Sequence, residues 1–119
     1  MSFLINISKA PGQSWKLANR VTIPVLELAV ENSTDKVAVR RELFQASDIG
    51  GINLARLAET NPSLAIDIGL SLAAVARIVT SLGFVLPDNP AVFDELTTPF
   101  AMQHFARLAD LMERFLTSE

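Results

Sequence analysis

Few residues of this 119-residue chain carry reactive chemistry. It has a single histidine, His104, and no cysteine. Thiolate nucleophiles, thiolate metal sites and disulfides are therefore excluded, which fits an intracellular protein. His104 stands one residue before apolar Phe105. A general base needs a nucleophile and an orienting group within reach, and no motif near His104 supplies them. It reads as a helix-flank residue. Asp94-Glu95 could form a carboxylate pair. Adjacent helical residues do not face each other, so the pair reads as surface acid. Gly50-Gly51 invites comparison with a phosphate loop, but neither GxGxxG nor a Walker lysine accompanies it, and Asp48 would repel an anion. The two glycines read as a turn opening a helix.

Arg40 and Arg41 are the only adjacent bases and form the candidate basic contact. If a strand runs through them, they point to opposite faces of a sheet and cannot clamp one anion together. Ser47 and Asp48 follow, with side-chain oxygens suited to capping the amides of the next turn. Near the C-terminus, Phe105, Leu108, Met112 and Phe115 recur at helical spacing, opposite Gln103, Arg107, Asp110, Glu113 and Arg114. This stripe has two readings: core, or a candidate protein-binding surface for a groove partner or a second copy.

The elements that must position these residues change character along the chain. "SFLINIS" (2–8) places Phe3, Ile5 and Ile7 on one face at strand period. Pro11-Gly12 signals a turn, and Trp15 folds back onto the sheet. "VTIPVLELAV" (21–30) is β-branched and apolar, with Pro24 marking an edge or a bulge. After the polar "ENSTDK" the strand resumes in "KVAVRREL", which predicts a β-hairpin over 21–44. Beyond Ser47 the pattern turns helical. Asn61-Pro62, Asn89-Pro90 and Thr98-Pro99 each pair a capping side chain with proline, predicting helices that begin near 62, 90 and 99. A shorter helix is expected over 52–59. The 62–83 segment is apolar on two faces, one with Leu64, Ile68, Leu72, Val75, Val79 and Leu82, the other with Ile66, Leu70 and Ile78. It should pack on both sides.

Half of the residues are hydrophobic and 19% are charged, enough apolar surface for one core. The net charge of −3 argues against nucleic-acid binding. After residue 60 three arginines face seven acids, so basic contacts belong to the N-terminal part. "IGLSLAAVARIVTSLGFVLP" (68–87) has bilayer-spanning length. Arg77 near its centre and Gly83 close to its end favour a buried core helix, with no membrane partner. The N-terminus has no basic region followed by an apolar run, the pattern of a signal peptide.

The order of these parts resembles that of the small tail assembly proteins of Mu-like phages, a family of tail assembly chaperones. Its members run a β-hairpin into a junction that "VAVRRELFQASDI" resembles, through Arg41-Glu42 and Asp48-Ile49. "IVTSLGFVLPDNPAVFDELTTPFAMQHFARLADLMERFL" is similar to the family's remaining part, with Leu96-Thr97 before the final helix and Phe115-Leu116 at its end. Leu43 stands where the family has proline. The resemblance spans about 21–116 and implies a binding partner that is a tape-measure or tail tube protein, without catalysis. "LAAVARIVTSLGFVLPDN" followed by "ELTT" also resembles the second half of acyl carrier proteins, but "DIGLS" (67–71) lacks the attachment Asp-Ser-Leu.

The expectation is one α+β domain over 1–119. An N-terminal antiparallel sheet of about three strands (1–45, hairpin near 21–44) packs against a C-terminal bundle of three to four helices (46–119). No enzyme activity, cofactor or metal is expected, and the location is cytoplasmic, that of the bacterial host if phage-encoded. The alternative is a small dimeric adaptor or a regulatory module, for example an anti-defence protein.

Overall fold

The structure, a computed structural model, describes residues 3–7, 14–17, 19–81 and 99–117. Strand β1 (Phe3–Asn6) pairs antiparallel with β2 (Ser14–Leu17) and parallel with β3 (Gly51–Asn53), giving the order β2-β1-β3. The alternation in β1 holds: Phe3, Ile5 and Ile7 are buried, while Leu4 faces outward. Trp15 and Leu17 of β2 and Ile52 of β3 turn to the same inner side. Ser14 and Lys16 stay exposed. The sheet is thus covered on one face only, as a period-2 pattern dictates.

Between β2 and β3 the expectation of a β-hairpin over 21–44 is overturned. Residues Asn19–Glu31 form helix α1 and Lys36–Asp48 form α2, a helical hairpin. The sheet accordingly is mixed, not purely antiparallel, and the chain is not β-rich up to residue 45. The reason lies in which residues are buried. Thr22, Val25, Leu26, Ala29 and Val30 are buried along α1, a 3.6-period stripe that overrides the β-branched composition. Pro24 sits in the second turn, where it deletes one ladder bond, the one to the carbonyl of Arg20. In α2 the buried residues are Val39, Leu43 and Ala46, whereas Val37, its alternating neighbour, is 69% exposed. Asp35 caps α2 by accepting from the Ala38 amide at 3.2 Å.

The later punctuation is closer to expectation. Helix α3 spans Leu54–Thr60, with Asn53 accepting from the Arg56 amide at 3.1 Å. Its start comes two residues later than expected from residue 52, because Gly51–Asn53 are taken into the sheet. Helix α4 spans Pro62–Ser81, and Asn61 Oδ1 accepts from the Leu64 amide at 3.3 Å, so the Asn-Pro start is real. Helix α5 spans Pro99–Thr117, again opening on a proline. The helix expected near 90, Asp94-Glu95, Leu96-Thr97, Pro11-Gly12 and Gly83 lie outside the described residues.

Helix α4 is the central element, packed against α1, α2, α3 and α5. It is long and apolar enough to cross a membrane by length and composition, yet half of it is buried within the protein. Ile68, Leu72, Val75 and Val79 are in the core, and side chains of α5 press against Gly69. A Cβ at Gly69 would stand 3.1 Å from the Phe115 ring and 3.3 Å from Leu116. The second face is only partly covered, since Leu70 is 52% exposed.

Candidate functional site

The residues singled out by type prove to be structural ties. Both Arg40 and Arg41 lie on α2, not on a strand, so the alternation argument does not apply to them. The Arg40 guanidinium makes a two-pronged pair with Glu27 of α1 at 2.9 and 2.7 Å. It also stands 5.4 Å over the Phe44 ring. The hydrogen bond to Arg40 holds the Glu27 carboxyl below its ordinary range, against a smaller opposing effect of burial. The same bond raises Arg40. Arg41 is exposed.

His104 is held between strand and helix. Its ring stacks on Trp15 at 4.5 Å and 20°, and its Nε2 lies against the Lys16 carbonyl. In return Trp15 Nε1 donates to the His104 carbonyl at 2.8 Å, and Phe105 meets the indole edge-on at 5.1 Å. This cluster fastens β2 to α5. Phe105, Leu108 and Met112 are buried in the core, and Phe115 is half-buried against Gly69. The stripe is interior, so the surface reading of these four residues is corrected.

Ser47 and Asp48 do not cap the next helix. They belong to the last turn of α2, where Ser47 Oγ donates to the Phe44 carbonyl at 2.9 Å. Gly50-Gly51 leads into β3 and not directly into a helix. Gly50 has φ +94°, a conformation that glycine adopts without steric cost. At Gly51 a Cβ would collide with the Leu4 carbonyl, so the close approach of β3 to β1 needs glycine.

Two features escaped the sequence reading. Asp67 on α4 accepts from the consecutive amides of Thr34 and Asp35, both at 2.8 Å, and so clamps the α1–α2 turn to the central helix. Its signal was an acid alone in an apolar stretch. The other is concavity. An open cleft of about 870 Å³ curves round the β3 edge, lined by Leu4 and Asn6 of β1, Glu42 and Ile49 from α2 and its end, and Arg56 and Thr60 of α3. A second, of about 420 Å³, lies between the Asp67 clamp and the exposed Ile66 and Leu70. Among the described residues no group of three His, Asp or Glu side chains is placed to hold a metal. Comparison with protein-family models, with curated proteins and with solved structures found no match.

Proposed function

We propose that this chain is a non-catalytic protein-binding protein, acting as a tail assembly chaperone or structural component of a phage-like particle. The observation that carries the binding reading is the placement of large aliphatic side chains in water beside concave surfaces. Ile49 is 84% exposed and Leu4 37% exposed at the β3 cleft, and Leu70 borders the second one. Each exposed aliphatic group gains from being covered, at roughly 25 cal/mol per Å² of apolar area removed from water. The polar residues with the most reactive side chains, His104 and Arg40, already serve the fold through Trp15, Lys16 and Glu27.

The assembly role is supported by the sequence resemblance from Arg41-Glu42 to Phe115-Leu116. Its β-hairpin has no counterpart over 21–44, where α1 and α2 stand. The tape-measure and tail tube proteins are the partners it implies. Co-expression with the proteins encoded beside the gene tests the reading: a stable complex with either tail protein supports it. A neighbourhood of metabolic genes contradicts it and leaves the adaptor role in its place.

A further inference from the structure

The β3 cleft has a property that selects its occupant. In a parallel ladder, alternate residues of a strand turn their N–H and C=O groups away from the neighbouring strand. Leu4 faces Gly51 in the register, and the Leu4 amide donates to the Gly50 carbonyl at 3.0 Å. Ile52 is therefore the residue of β3 that exchanges bonds with β1. The N–H and C=O of Gly51, and the N–H of Asn53, point the opposite way, to the side where no described strand lies. Among the described residues, no turn, loop or cap backbone bond uses the Gly51 groups. Gly51 itself is partly exposed.

We infer that the β3 edge is the docking strand for an extended segment of another polypeptide, which adds to the sheet as a fourth strand. This deepens the protein-binding reading above and rests on it. The three residues Gly51-Ile52-Asn53 carry no lysine, proline or bulge, so shortness is the one device that guards this edge within the strand itself. The flanks supply what an added strand needs beyond its backbone bonds. Ile49 and Leu4 offer apolar contact for alternate side chains. Glu42 on α2 and Arg56 on α3 set opposite charges in the cleft and match a segment bearing both signs.

The test pans a displayed library of random linear peptides on the purified chain and maps the enriched peptides by amide hydrogen exchange. Enriched peptides should alternate apolar and polar residues and slow exchange at Gly51 and Asn53 by roughly tenfold or more. Ile49→Lys, which places a cation at the end of α2 where the helix dipole favours it, should weaken binding roughly tenfold with an unchanged melting temperature. Leu4→Glu, beside Lys16 in the ladder, is the second variant and should act alike. The inference is overturned if no peptide is enriched, or if protection appears only around Ile66 and Leu70. It is also overturned if sedimentation shows a dimer whose Gly51 amide is already protected. Protection confined to Ile66 and Leu70 would leave the general protein-binding reading standing, so the two can fail separately.

Discussion

At the scale of single residues, Asp67 and Glu27 show how charge is used to hold helices together. The Asp67 carboxylate receives two amides from the turn between α1 and α2, a charge-assisted arrangement at 2.8 Å. Asp67→Ala leaves both amides to water. It should lower stability by about 1–2 kcal/mol in urea unfolding, while Asp67→Asn, which keeps one acceptor oxygen, should lose less. The Glu27–Arg40 pair is half-exposed and contributes little at neutral pH. Its sign is nevertheless fixed. Arg40 lowers the carboxyl's folded pKa, so the contribution is complete above the unfolded value and lost as pH falls through the lowered folded value. Wild type should therefore lose slightly more stability than Glu27→Gln on acid titration in low salt, and the difference should shrink in high salt.

At the scale of elements, the α4–α5 contact is the one that substitution should test most sharply. Gly69 admits the Phe115 ring so closely that a Cβ already presses on it. Gly69→Leu overfills this crossing and should cost about 1–3 kcal/mol in thermal unfolding. Phe105→Asp places a charge among Trp15 and the core of α5 and should unfold the chain outright, since its cost of several kcal/mol rivals the stability of a small domain. A Phe105→Asp protein that stays folded but loses self-association would instead restore the surface reading of the stripe.

The α4 and α5 starts were legible because proline after a cap has a local cause, a first-turn residue with no amide to satisfy. The α+β class and the inward face of β1 were legible from periodicity. Helices α1 and α2 were not, because "VTIPVLELAV" is equally rich in β-branched residues and in i, i+3, i+4 spacing. Only the packing against α4 chooses between these, and that choice is not local. Strand β3 escaped for a related reason. Three residues carry no period, and Gly51 belongs to the sheet through a backbone approach to Leu4 that no side-chain pattern records. The candidate site suffered most. Arg40, His104 and the Met/Phe stripe attract attention by type, and each is absorbed into the fold. The cleft is built instead from Leu4, Ile49 and Gly51, whose types say little.

At the scale of the whole molecule, α2, α3 and α5 pack against the sheet around the central α4, and among the described residues no strand lies beyond β3, beside exposed Leu4 and Ile49. The proposed function rests on protein binding through the β3 edge. The most direct measurement is light scattering after size exclusion on the chain co-expressed with a tape-measure and a tail tube protein, the partners the resemblance implies, for wild type and for Ile49→Lys. The account predicts a defined complex with wild type that Ile49→Lys loses while its melting temperature is kept. A complex that survives both Ile49→Lys and Leu4→Glu, or no complex with either protein, would contradict it.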